Sequence, residues 1–243
     1  MEKKEIILSK RMQMVAGMVS KGNVTADIGC DHGFVSIYLI EQGICPHVIA
    51  MDVNEGPLLR AKEHICERGL ESYIDVRLSD GIEKLQNKEA ESIIIAGMGG
   101  KLVMKILFDQ MDKVRDLKEI ILQPQSDLHF VRHFLEENGL QIVQEDMVED
   151  AGKFYPCMKA VFSGEKKNAY TEEEQWYGPL LLQQKHPVLY DYLLKEKQTF
   201  EQIAEQINQN AKKVDTEETK EDTILNRLRQ IAMALAYFDK QEV

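Results

Sequence analysis

The sequence predicts an α/β fold: a mostly parallel sheet with helices on both faces and an antiparallel pair at its end, followed in the chain by a C-terminal helical domain. Three observations carry this expectation. Strand-like apolar runs alternate with helical patterns from Val24 to residue 138, which builds βα units and a parallel sheet. After Gly139 two strand patterns follow each other with no helix between them, and a direct strand-to-strand connection is a hairpin. After Phe162 no strand pattern recurs, and helical spacing takes over to the end of the chain.

Taken in order, Leu8, Met12, Val15, Ala16 and Val19 lie at helical spacing over 8–20, with Ser9 as a cap. The strands expected next are Val24–Ile28, Val48–Met51, Tyr73–Leu78, Ser92–Ala96 and Glu119–Leu122, with helices over 34–42, 55–68, 100–110 and 126–138. Leu140–Val148 and Phe154–Phe162 form the hairpin, turning at Glu149–Gly152. The polar stretch from Ser163 to Asn168 reads as a linker, giving domains 1–163 and 164–243. Thr171 and Glu174 have capping-box spacing, and Pro187 suits the first turn of another helix. Leu189, Leu193, Glu196, Phe200, Ile203, Ile207, Asn210 and Val214 then step by fours and threes, a heptad seam with two polar interruptions. The stepping breaks at Asp215–Lys220 and resumes through Ile224, Leu228, Ile231, Leu235 and Phe238. An antiparallel coiled-coil hairpin is expected; a plain helical cap on the sheet is the alternative.

Composition bounds the partners. The net charge of −11 over 243 residues argues against a broadly basic nucleic-acid surface, so any such contact needs a local basic patch. No apolar run approaches the roughly 20 residues that cross a bilayer, and the charged start Met1–Glu5 is followed by too short an apolar run for a signal peptide. Cys30, Cys45, Cys66 and Cys157 are scattered without CxxC spacing, and His129 and His133 lack a third ligand nearby. A cytoplasmic protein with reduced thiols and no metal is expected, most simply a monomer.

The stretch that carries the chemistry is Asp27-Ile28-Gly29-Cys30-Asp31-His32-Gly33. A strand entering a glycine turn and then a helix opens a nucleotide-type pocket. Such turns offer backbone N–H groups to phosphates, and Asp27 and Asp31 would repel them. They suit a cationic ligand: S-adenosylmethionine, with its sulfonium and ammonium, rather than NAD. The sheet agrees, because five βα strands closed by an antiparallel pair is the plan of class I methyltransferases, whereas a dehydrogenase would continue with a sixth parallel strand. The expected cofactor contacts are Asp27, Gly29, Cys30, His32, Gly33, Asp52 with its neighbour Val53, Asp80, Gly81 and Gly97. Asp52 ends the second strand, where an acid accepts ribose hydroxyls; capping the segment from Asn54 is the other reading. Asp80 suits an exocyclic adenine amine, or equally a helix cap. Ala96-Gly97-Met98-Gly99-Gly100 places three glycines in four residues, a cost in chain entropy that suits a close-approaching ligand. Gln123-Pro124-Gln125 sets amides on the same strand edge, and groups of that type read base edges.

Leu8-Ser9-Lys10-Arg11, Ala26 to Gly33, Ala96 to Gly100 and Gln123-Pro124-Gln125 together resemble the bacterial tRNA (adenine-22-N1)-methyltransferase family, over essentially the whole chain. That family typically carries Ser at the place of Cys30 and Ala-Tyr at the place of Gly33-Phe34. The resemblance implies methyl transfer from S-adenosylmethionine to N1 of an adenine in the D-arm region of tRNA. N1 already carries a lone pair, so the work is alignment, with the base turned out into the pocket. On this reading Asp27 and Gly29 take the methionine part, Asp52 the ribose and Asp80 the cofactor adenine. Gly97, Met98 and Gly99 with Gln123 shape the target slot, and Asp31 is a candidate acid beside the cationic product. Lys10, Arg11, Lys21, Lys212 and Lys213 are the basic footholds for tRNA. Two other readings stay open: a methyltransferase for a small molecule or protein, which the acidic charge suits, and a non-catalytic module that holds tRNA or a protein through its helices.

Overall fold

Four strands that are buried along nearly their whole length form the middle of the sheet: β1 (Thr25–Ile28), β2 (Val48–Asp52), β4 (Ser92–Ala96) and β5 (Glu119–Gln123). Continuous apolar runs such as Ile93-Ile94-Ile95, each without exposed surface, are what a parallel sheet covered on both faces requires. With β3 (Ile74–Leu78) and the pair β6 (Leu140–Asp150) and β7 (Lys153–Phe162), the sheet order is β3-β2-β1-β4-β5-β7-β6. The first five pair in parallel, while β7 runs antiparallel to both β5 and β6. The computed structural model describes residues 6–164, 170–210 and 218–239. The chain divides into two compact units, Met1–Asn168 and Ala169–Val243.

The connecting helices are α1 (Lys10–Gly17), α2 (Phe34–Glu41), α3 (Glu55–Arg68), α4 (Gly100–Asp109), α5 (Met111–Arg115) and α6 (Leu128–Glu137). Ser9 caps α1 as expected, its side chain accepting from the Met12 N–H. The hairpin is tighter than expected: β6 and β7 extend to Asp150 and Lys153, and only Ala151 and Gly152 turn, both at positive φ. α5 was not expected, since a five-residue helix is too short to show a period.

The direction of α1 matters for the site. At its start the Arg11 N–H donates to Asp150 Oδ2 (3.1 Å), at the β6 end. Just past its end the Ser20 N–H donates to Glu119 at the beginning of β5 (2.8 Å). α1 therefore runs antiparallel to β5, from the carboxyl edge of the parallel strands to their amino edge.

The second unit is helical: α7 (Glu172–Tyr177), α8 (Pro179–Gln183), α9 (Pro187–Asn210) and α10 (Glu218–Asp239). The capping box forms, Glu174 N–H to Thr171 Oγ1 (3.3 Å) and Thr171 N–H to Glu174 Oε2 (2.8 Å). Tyr190 of α9 packs on Phe238 of α10, and Glu196 meets Arg227; rising numbers on one helix meet falling numbers on the other, so the pair is antiparallel. The polar interruption at Glu196 has a structural cause. Its carboxylate accepts from Tyr177 Oη (2.8 Å), Tyr192 Oη (3.1 Å) and Arg227 Nη2 (2.8 Å), and Arg227 lies 3.8 Å over the Trp176 ring. Trp176 and Tyr177 are thus part of this unit's own polar core. Val214 of the seam, with Lys212 and Lys213, lies outside the described residues, and among those described no helix is long and apolar enough to cross a membrane.

Removing one partner of a nearly buried charge network leaves the other uncompensated. Glu196→Ala is expected to destabilise the helical unit by about 3 kcal/mol, measured by thermal unfolding; an unchanged midpoint would show that the network adds nothing to stability.

Candidate active site

The sheet order reverses direction between β1 and β4, and open α/β sheets bind ligands outside the carboxyl ends of the strands at such a point. A cavity of about 520 Å³ lies there. Its wall includes Gly29 and Asp31 from the β1–α2 turn, Asp52 and Val53 after β2, Asp80 and Gly81 after β3, and Gly97 and Met98 after β4. Four turns remote in sequence are brought together only by strand order.

The β1–α2 turn is pinned to its neighbour strand, the Gly29 and Cys30 N–H groups both donating to the Met51 carbonyl (2.8 and 3.0 Å). Asp27 lies below this turn, almost without exposed surface, and accepts from Ser36 Oγ (2.7 Å). Burial pushes its carboxyl up to about 6; the Ser36 bonds oppose the shift, and nearby Asp52 adds to it. Asp52 is itself buried, accepting from the Asn54 N–H (2.9 Å) and the Asp31 N–H (3.4 Å). It serves this turn and is not the cap of α3, a position held by Asn54. Burial, and then the charges of Asp27, Asp52 and Asp31, hold the Cys30 thiol well above its ordinary range, so Cys30 is no nucleophile. Three carboxylates around one turn make the field negative, the opposite of a phosphate site.

No helix follows β3, and Ser79 rather than Asp80 caps the turn there, accepting from the Lys84 N–H (3.1 Å). That leaves Asp80 on the cavity wall. After β4 the glycines divide their duties. Gly97 adopts φ +80, and a Cβ there would stand 3.4 Å from the Arg11 guanidinium, so a side chain would be strained and would crowd the cavity. Gly100 is needed by the protein itself, because a Cβ would strike the Ser126 carbonyl. Gly97 N–H donates to the Gln123 carbonyl (3.0 Å) and Gln125 N–H to the Met98 carbonyl (2.8 Å), binding the two turns together.

Of the residues expected at the site, Gly29, Asp31, Asp52, Val53, Asp80, Gly81, Gly97 and Met98 line the cavity. Asp27 stands beneath it. Cys30 and Gly33 are buried and Gly99 precedes α4; none of the three is part of the wall. His32 is not in the wall either: its Nε2 stands 3.6 Å from Asp31, and its ring packs with Phe34 and His64. Gln123 differs from expectation, being fully buried and reached through Arg11. Arg11 was expected as an open foothold and instead lines the cavity. Lys10 is exposed beside it, but Lys21 precedes β1 at the amino edge of the sheet, so the direction of α1 sets the two ends of the expected basic group at opposite edges. Met12, Leu102, Ile106 and Gln125 also line the cavity. Leu102 sits in the first turn of α4 with 46% exposure, a large apolar residue just after the glycine turn and the one signal that pointed to it. Among the described residues no three His, Cys, Asp or Glu side chains gather as a metal site needs.

Comparison with known proteins places this geometry. A model of the methyltransferase domain matches residues 8–158. The tRNA (adenine(22)-N(1))-methyltransferase of Bacillus subtilis is 36% identical over 221 residues, 89% of this chain and 91% of that one. A Streptococcus pneumoniae structure described as a putative tRNA (m1A22) methyltransferase in complex with S-adenosyl-L-methionine superimposes with a TM-score of 0.83 at 30% identity, covering 94% of this chain and 100% of the other. The M1A22 tRNA methyltransferase of B. subtilis superimposes with a TM-score of 0.82 at 32% identity, covering 95% and 99%. Fold and site thus define a methyltransferase of the Rossmann-like class. Within that class the chain belongs to the tRNA (adenine(22)-N1)-methyltransferase family.

The raised Asp27 carboxyl has a cost in the ligand-free protein. An acid whose folded value lies above its unfolded value of 3.8 destabilises the fold above pH 6, and the penalty disappears as pH falls from about 6 toward 4. Asp27→Asn is therefore expected to stabilise the ligand-free protein by up to about 3 kcal/mol at pH 8 and by little at pH 4. Thermal unfolding at the two pH values checks it, and an equal effect at both would refute a desolvated Asp27.

Proposed function

We propose that the chain transfers the methyl group of S-adenosylmethionine to N1 of adenine 22 in tRNA. The observation that carries the reading is the cavity itself: carboxylates gathered at one end, a glycine turn at the other, in a member of this family. The residues fit the cofactor by charge. Asp27 and Asp31 face the requirement of an ammonium and a sulfonium, Asp52 stands at the end of β2 where ribose hydroxyls need an acceptor, and Asp80 offers an acceptor to an adenine amine.

Bound S-adenosylmethionine supplies an electrophilic methyl carbon on its sulfonium. The protein's part is to hold the target base beside the Gly97 turn so that the N1 lone pair meets that carbon as the carbon–sulfur pair returns to sulfur. No base is needed to form the bond. Methylated N1 leaves a cation, and Asp31, more than half exposed on its side chain, is the acid on the wall that stabilises it. The base is turned out of its stack to reach the slot. Lys10 and Arg11 are basic residues at this edge, and we assign the helical unit, with Lys212 and Lys213 of its sequence, to gripping the body of the tRNA. The protein works in the cytoplasm, with its tRNA.

The assay uses labelled cofactor, unmodified tRNA and digestion to nucleosides. The expected product is 1-methyladenosine, lost when adenine 22 is replaced. Methylation of a small molecule or protein without 1-methyladenosine would favour the second reading, and absence of cofactor binding at millimolar concentration would favour a non-catalytic module.

A further inference from the structure

Two amides flank Pro124, and the structure separates them. Gln123 is fully buried at the end of β5 and bonded to Arg11. Gln125 is exposed and lines the cavity. Its backbone is fixed, because its N–H donates to the Met98 carbonyl at 2.8 Å and Pro124 before it has a locked φ. Among the described residues its side-chain amide has no hydrogen-bond partner. Neither end is committed, so Oε1 can accept from a ligand while Nε2 donates to it. Gln125 Nε2 stands 4.0 Å from where a Cβ on Gly97 would be, and Arg11 Nη1 stands 3.4 Å from the same point. The missing side chain of Gly97 therefore leaves a notch in the wall, with the Gln125 amide at its edge.

The strand order indicates which ligand meets that amide. Asp52 ends β2 and Asp80 follows β3, whereas Gln125 follows β5. In the order β3-β2-β1-β4-β5, the ends of β2 and β3 lie three and four strand spacings from β5, about 14 and 19 Å. A nucleoside held by those carboxylates occupies the far side of the crevice. Gln125 faces the Gly97 side, where the target base sits. Adenine carries a donor, N6–H2, beside an acceptor, N7, and a glutamine amide matches that pair with two hydrogen bonds. Pairing on this edge leaves N1, on the other side of the amino group, free to face the methyl carbon. Methylation at N1 spreads positive charge onto the amino group, so the bond to Oε1 becomes charge-assisted as the reaction proceeds.

We propose that Gln125 reads the target adenine: its Oε1 accepts from N6–H2 and its Nε2 donates to N7, with the notch at Gly97 admitting that edge of the base. The inference deepens the methyl-transfer reading above and rests on it. It gives the slot a reason to take adenine. Pyrimidines have no N7, and guanine presents an acceptor, O6, where Oε1 requires a donor.

The test pairs protein variants with a substrate analogue. Unmodified tRNA carries either adenosine or 7-deazaadenosine at position 22; the analogue replaces N7 by C–H and keeps N1 and the amino group. Wild type, Gln125→Ala and Gln125→Met are compared by kcat/KM for methyl transfer at saturating S-adenosylmethionine, with cofactor Kd and melting midpoint as controls. Gln125→Met keeps the bulk and loses the polar end, so it separates hydrogen bonding from filling. On wild type the analogue is expected to cost about tenfold. Both variants should lose at least about tenfold on adenosine, with cofactor Kd within about threefold of wild type. In both, the analogue should then cost less than about twofold more, because the bond it removes is already gone. Wild type that accepts the analogue within about twofold would overturn the proposal, and so would an equal cost of the analogue in wild type and variants. Gln125→Met with wild-type activity would reduce Gln125 to filling, and a collapse of cofactor affinity in either variant would assign the amide to the cofactor; both overturn it. Failure of the parent reading looks different: wild-type protein binds cofactor yet forms no 1-methyladenosine on the adenosine tRNA, and the inference falls with it.

Discussion

A carboxylate held out of water at the end of a central strand is the constraint on which the rest of this structure depends. Asp27 is buried on β1, bonded to Ser36 and faced by Asp52. An isolated buried charge is costly, and among the described residues the groups acting on this one are Ser36, which bonds it, and Asp52, which repels it. The turn above it nevertheless keeps two further acids, Asp31 and Asp52, linked to each other through the Asp31 N–H. Such an arrangement is stabilised by a cationic ligand, and strain of this kind gathers at functional sites. The surrounding sheet supplies the rigidity: β1, β2, β4 and β5 are buried continuously, so the carboxylates have little room to relax.

The other side of the cavity is organised by α1. Because this helix runs from the carboxyl edge to the amino edge, it delivers Arg11 to the cavity while Ser20 locks onto Glu119 at the far side. One wall therefore carries negative charge and the other carries a guanidinium bonded to an amide. The carboxylate side suits a cationic cofactor. The helical unit solves a separate problem, burying Glu196 against Arg227 and two tyrosines within an antiparallel pair.

Much of this was legible in the sequence because it is local. Strands β1, β2, β4 and β5 announce themselves as apolar runs and β3 by alternation, Ser9 and Thr171 announce their caps, and the acid-bearing glycine turn announces a cationic ligand. What stayed hidden depends on contacts between distant residues. Arg11 and Gln123 are 112 positions apart, so a basic residue near the start of the chain reads as surface charge until the helix direction is known. Lys21 reads as its companion for the same reason. The shift at Asp27 arises from packing against α2 and β2, which no pattern along one strand discloses. α5 was missed because a single turn has no period.

The central claim is that the desolvated Asp27 carboxyl exists to meet a cation, and proton release on cofactor binding tests it most directly. Titration calorimetry with S-adenosylmethionine in buffers of different ionisation enthalpy counts the protons exchanged. Near pH 6 the account predicts release of roughly half a proton per site, falling to none at pH 8, with affinity weakening as pH drops below 6. No proton exchange anywhere between pH 5 and 8, with unchanged affinity, would contradict it.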